Sequence, residues 1–186
     1  MKNKRKEILN GPTILTIARI ILTIPLMICI FVDNLPAQII TLICFVVASA
    51  TDFIDGRWAR KSKKVTELGI FLDPLADKML VNLTFLALVA SGLVPLWMFA
   101  IILIRDFAVD GMRMMQAKSG KVIAASIYGK AKTMTQMITL TLILLNVILK
   151  FDPLNIVNTL LLYIVVILTV LSGVDYLTKG WKQLIK

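Results

Sequence analysis

Six apolar runs, Thr13–Val32, Ala37–Asp55, Gly69–Ser91, Leu96–Met115, Ser126–Leu149 and Leu154–Leu177, take up most of the 186-residue chain. About 20 apolar residues suffice for a helix to cross a bilayer. The runs are punctuated by turn residues and charges at Asp33–Pro36, Gly56–Leu68, Ser91–Pro95, Gln116–Ala125 and Lys150–Pro153. Hydrophobic residues make up 58% of the chain and charged residues 17%, against roughly 45–50% and about 25% in a soluble domain. There is too little polar surface to cover a soluble monomer, and too much apolar sequence for disorder. With no internal repeat, the sequence predicts an all-α, polytopic membrane protein of six transmembrane helices in one domain, residues 1–186.

The formal charge of +10 suits nucleic acid or an anionic membrane surface, and the apolar runs decide for the membrane, with no nucleic-acid partner. Lys2, Lys4, Arg5 and Lys6 precede the first run. Arg57, Arg60, Lys61, Lys63 and Lys64 follow the second, Lys118 and Lys121 the fourth, and Lys179, Lys182 and Lys186 the last. The alternate breaks hold one cation, Lys150. Positive residues stay on the cytoplasmic side, so both termini are expected there. Residues 1–11 mix cations with Ile8 and Leu9 and are expected to form a short interfacial helix. The first run is too long for a signal peptide and lacks a small-residue cleavage site, so it is expected to remain as a span.

The chain has no histidine, which excludes imidazole shuttles, His-based triads and Zn–His sites. Cys29 and Cys44 both sit inside apolar runs and read as small hydrophobes.

Six of the eleven acidic residues, Asp52, Asp55, Asp73, Asp77, Asp106 and Asp110, lie within or at the edge of apolar runs. A carboxylate in a membrane helix needs a partner or a hydrated cavity. Asp52 and Asp55 are three apart and Asp73 and Asp77 four apart, spacings that put each pair on one helix face. If the two helices run antiparallel, four carboxylates meet near the cytoplasmic surface. Clustered carboxylates raise one another's pKa unless cations join them. With oxygen donors only, Mg²⁺ or Mn²⁺ is favoured over Zn²⁺. Gly56 allows a close backbone approach to a ligand, and Arg60 supplies charge for phosphate oxygens. Simple salt bridging of helix-end acids to nearby arginines is the bland alternative.

Asp52-Phe-Ile-Asp55-Gly56-Arg-Trp-Ala59-Arg60, then Gly69-Ile-Phe-Leu-Asp73-Pro-Leu-Ala-Asp77, resembles the signature of the CDP-alcohol phosphatidyltransferase family at all eight defined positions. Thr13-Ile-Leu-Thr16-Ile-Ala-Arg19, Lys78 after Asp77, Arg105-Asp-Phe-Ala-Val and Gly129-Lys-Ala-Lys132-Thr133 extend the likeness to bacterial members whose acceptor is glycerol 3-phosphate. The resemblance implies attack of an alcohol on CDP-diacylglycerol with release of CMP, two divalent cations, a homodimer, and a bacterial cell membrane with the site facing the cytoplasm. It implies metal ligands at Asp52, Asp55, Asp73 and Asp77, with Asp77 also the general base. It places the CDP-diacylglycerol at Thr13, Thr16, Gly56, Ala59, Arg60 and Thr66. Arg105, Arg113, Lys130 and Lys132 are expected to clamp the acceptor phosphate, Arg105 and Arg113 lying two helical turns apart on one face.

Topological marking explains Arg113, Lys130 and Lys132 equally well, and an ion pair with an acid on another helix is the alternative for Arg105. Asp106 and Asp110 are expected to partner Arg113 or Lys78. Trp97 and Trp181 read as interfacial anchors, Met114-Met115 as packing, and Ala48-Ser49-Ala50 as a close-packing patch for a dimer. The cardiolipin-synthase type and the inositol-phosphate or serine enzymes share much of the wording and remain open. A cation carrier using the acidic cluster is a rival of another class, against which no acid ladder continues toward the outer face.

Overall fold

The computed structural model describes the backbone of residues 11–62, 67–118 and 127–185 and the side chains of 16–51, 75–116 and 127–182. Among the described residues the protein is all helical: α1 (Gly11–Cys29), α2 (Leu35–Ser62), α3 (Glu67–Ala90), α4 (Leu96–Lys118), α5 (Ile127–Leu149) and α6 (Asp152–Ile185). The expected interfacial helix at 1–11 falls almost wholly outside the described residues.

Each helix boundary has a local cause. The Asn34 side-chain carbonyl accepts the Ala37 N–H at 2.8 Å and caps α2. α3 ends ahead of Gly92, whose φ of +74° needs a residue without Cβ. Asn146 terminates α5: its backbone carbonyl accepts the Lys150 N–H at 2.8 Å and its side-chain carbonyl the Phe151 N–H at 3.1 Å. Its amide also donates to Asn155 Oδ1 of α6 at 2.6 Å.

Three helices outrun the apolar runs that predict them. α2 continues past Asp55 to Ser62, α4 past Met115 to Lys118, and α6 past Leu177 to Ile185. Hydropathy ends where the charges begin, but Arg, Ala, Lys and Gln are good helix formers.

The chain divides into two compact units, Met1–Ser91 with Val147–Leu149, and Gly92–Asn146 with Lys150–Lys186. In the first, α1 packs on α2 and on α3, and α2 also touches α3. In the second, α4 packs on α6, and the two run parallel: Trp97 meets Tyr163 in a tilted ring contact, and Arg105 and Met112 lie against Gly173 and Gly180. A Cβ on Gly180 would stand 2.8 Å from Met112 Cγ, so glycine is what permits this closeness.

The inside and outside of α1 are reversed relative to a water-soluble helix. Thr16, Arg19 and Thr23 are buried along one stripe, while Ile21, Ile24 and Ile28 are exposed on another. Buried threonines satisfy their hydroxyls on the preceding turn, as Thr23 does on the Arg19 carbonyl at 2.9 Å and Thr84 on Leu80 at 2.7 Å. α6 shows the same pattern, with Thr169 and Ser172 buried and Leu160, Ile167 and Val174 exposed. Such an exterior is suited to lipid, and α5 and α6 are long and apolar enough to cross a membrane. Cys29 and Cys44 are free thiols, as expected.

Ile24 is 60% exposed. In water, Ile24→Asp would shift stability by no more than about 0.5 kcal/mol. In a bilayer centre, it costs on the order of 3 kcal/mol. We expect a marked loss of membrane-integrated protein, measured by carbonate extraction and by melting in detergent.

Candidate active site

The four motif carboxylates lie on α2 and α3, the two helices joined through residues 63–66. Asp55 stands seven residues before the end of α2 and Asp73 six residues after the start of α3. At 1.5 Å per residue both are about 10 Å from the connection, and Asp52 and Asp77 both about 15 Å. Neighbouring helices with so short a joint run antiparallel, so the two pairs occupy matching register positions. The side chains of Asp52, Asp55 and Asp73 lie outside the described residues, and Asp77 is half-buried.

Gly56, Ala59 and Arg60 occupy the same stretch of α2, and Thr13 opens α1, all with undescribed side chains. Thr66 lies outside the described residues. Thr16 is buried, at 1% exposure.

One residue of this unit has a part that its motif did not reveal. Arg19 is 2% exposed, and its Nε donates to the Ala48 carbonyl of α2 at 3.1 Å. Thr51 Oγ1 donates to the same carbonyl at 2.8 Å. The guanidinium thereby pins α1 to α2 one turn ahead of Asp52. The sequence signal was an arginine inside an apolar run, which must find acceptors when buried. Ala48, the first residue of the expected close-packing patch, is fully buried, and Ala50 is exposed.

The second unit holds the basic residues. Asp106 Oδ1 accepts from Arg105 Nη1 at 3.0 Å and from Lys132 Nζ of α5 in a shorter bond. Both contacts are ion pairs, with the Lys132 side chain 4% exposed. This corrects two expectations. Asp106 pairs with Arg105 and Lys132 rather than with Arg113 or Lys78, and the acid paired with Arg105 is on its own helix. The spacing rule misses the first because adjacent helical residues do not face each other; here the long arginine stem spans the difference.

Arg113 is exposed and lies over the buried Tyr176 ring, 5.5 Å from its centroid, in a cation–π contact. The Tyr176 hydroxyl reaches Gln116 Oε1 at 3.4 Å. Lys130 is exposed. The structure thus brings Arg105 to Lys132 through Asp106 and sets Arg113 against α6. Asp110 is half-buried. Met114 and Met115 are exposed, a correction to their reading as packing, while Trp97 and Trp181 are exposed as anchors require.

Comparison with known proteins agrees with the motif. The model of the CDP-alcohol phosphatidyltransferase family matches residues 9–171. The chain belongs to the CDP-alcohol phosphatidyltransferase family. It is 39% identical to a CDP-diacylglycerol–glycerol-3-phosphate 3-phosphatidyltransferase of Bacillus subtilis, over 94% of this chain and 97% of the relative. It is 38% identical to the enzyme of that name from Rickettsia bellii, over 90% and 93%. A probable phosphatidylglycerophosphate synthase of Mycobacterium tuberculosis is 31% identical, over 97% and 86%. The family is membrane-embedded and uses a divalent metal.

Removing one partner of a buried ion pair strands the other, at a cost of about 3–5 kcal/mol. Asp106→Leu takes the shared carboxylate from both Arg105 and Lys132, so it should lower the melting temperature in detergent more than Lys132→Met, which leaves Asp106 paired with Arg105.

Proposed function

We propose that the chain transfers the phosphatidyl group of CDP-diacylglycerol to sn-glycerol 3-phosphate, forming phosphatidylglycerophosphate and CMP. This is the committed step toward phosphatidylglycerol. The observation that carries this reading is the near-full-length likeness to relatives that bear that activity in their names, joined to an intact eight-residue signature. We read residues 1–186 as one functional membrane domain of six spanning helices with a short interfacial segment at 1–11, both termini on the cytoplasmic side of a bacterial cell membrane. The reversed exteriors of α1 and α6 and the one-sided cations support that arrangement.

Asp52, Asp55, Asp73 and Asp77 are the residues that would hold two divalent ions. The donor set fits: oxygen only, two pairs at equal distances from one helix connection, with Mg²⁺ or Mn²⁺ the matching ions. When bound, the ions supply positive charge to the diphosphate and its departing CMP.

This chain's residues carry the remaining steps. Thr13, Thr16, Gly56, Ala59, Arg60 and Thr66 hold the CDP portion, with Gly56 leaving room for close approach and Arg60 donating to phosphate oxygens. Asp77 accepts the proton of the acceptor hydroxyl as the oxygen bonds to the β-phosphorus. The phosphorus–oxygen bond to CMP then breaks, and CMP departs as the phosphate anion. A carboxylate is a suitable base in a chain without histidine. Arg105, Lys132, Arg113 and Lys130 hold the acceptor's phosphate. The buried Arg105–Asp106–Lys132 group supports this, because Arg105 Nε is buried without a hydrogen-bond partner among the described residues. We also read the working unit as a homodimer.

Purified protein with CDP-diacylglycerol and Mg²⁺ or Mn²⁺ should release CMP with glycerol 3-phosphate and not with inositol phosphate, serine or phosphatidylglycerol. Release with another alcohol alone would reassign the acceptor. Asp77→Asn should lower turnover by at least about 10²-fold, the range of general-base catalysis, while CDP-diacylglycerol still binds. Wild-type turnover in that variant would remove Asp77 as the base.

A further inference from the structure

Two cations side by side repel each other unless an anion joins them. In the second unit Asp106 Oδ1 does so, accepting from both Arg105 Nη1 and Lys132 Nζ. Two nitrogens sharing one acceptor stand within about 6 Å of each other, the sum of two hydrogen-bond lengths. That separation lets one phosphate group meet both.

Gly173 of α6 fixes the other end of the arginine. A Cβ built there would lie 3.1 Å from Arg105 Cγ, so the absence of a side chain leaves the space that the aliphatic stem fills. The head of Arg105 is tied to Asp106 and its stem is seated on α6. Its Nε–H, buried and without a partner among the described residues, is a donor that a ligand oxygen can take. An arginine offers five N–H donors in a rigid fork, and the carboxylate engages one side of that fork.

We propose that Asp106 and Gly173 are positioning residues for the acceptor phosphate: they touch no substrate, but set Arg105 and Lys132 at the spacing that binds it. The inference rests on the reading that glycerol 3-phosphate is the acceptor. It separates from a plain structural ion pair by sign. If Asp106 merely offsets the charge of two cations, its neutralisation frees them and strengthens anion binding. If it positions them, neutralisation weakens that binding.

The test is steady-state CMP release by the full-length protein in detergent micelles, varying each substrate in turn. KM is the readout, because it does not depend on the fraction of enzyme that stays folded. Asp106→Asn should raise KM for glycerol 3-phosphate by about tenfold or more, the loss of one charged binding contact, and leave KM for CDP-diacylglycerol within about twofold. Asp106→Glu should restore much of the difference. Gly173→Ala, which leaves every charge in place, should raise the same KM by about threefold or more. Asp175→Asn, which breaks an exposed pair with Lys179, should change neither.

An unchanged or lowered KM for glycerol 3-phosphate in both Asp106→Asn and Gly173→Ala overturns the proposal, whatever happens to kcat or melting temperature. Wild-type protein that releases no CMP with glycerol 3-phosphate overturns the acceptor reading itself, and the proposal with it. Wild-type activity with unmoved variants overturns the proposal alone.

Discussion

A charge inside an apolar helix has to be matched within the protein, and that requirement organises both units. Water is not at hand to solvate it, and the cost of leaving it alone exceeds what any one helix contact returns. Arg19 meets it by reaching the Ala48 carbonyl on α2, and so locks α1 to the helix that carries Asp52 and Asp55. Asp106 meets it with Arg105 and Lys132, and so draws α5 to α4. Apolar residues such as Leu26, Phe85, Ile102 and Val165 fill the interior beside these polar groups, while further aliphatic residues are spread over the exteriors of α1 and α6.

The same requirement gives the four motif carboxylates their meaning. An acid pair on α2 and another on α3, equally far from the joint between them, would repel each other if left to themselves. In the reading proposed above, divalent ions would offset that repulsion, and an oxygen-only donor set close in sequence to Gly56 and Arg60 suits them chemically. Membership of the CDP-alcohol phosphatidyltransferase family places this chemistry on a lipid diphosphate.

Much of the fold could be read from the order of residues. Pro36, Gly92, Pro95 and Pro153 interrupt hydropathy where the chain must turn, so all six helices were located within a few residues. Their charged extensions were not, because hydropathy falls at Arg57 and Lys118 although helix propensity does not. The carboxylate motif was legible as spacing alone. The partners of Asp106 were not: one is its immediate neighbour and the other is 26 positions away on α5, and neither separation is a helical-face spacing. Gly173 was equally silent, since its value lies in the arginine stem opposite it.

The central claim is that carboxylates from α2 and α3 form one divalent-ion site, and binding of Mn²⁺ to the purified protein, followed by electron paramagnetic resonance, tests it most directly. The account predicts two bound ions per chain that Mg²⁺ displaces, with binding lost when either Asp55 on α2 or Asp73 on α3 is replaced by alanine. Mn²⁺ binding that is absent from the wild type, or that survives both replacements unchanged, would contradict it.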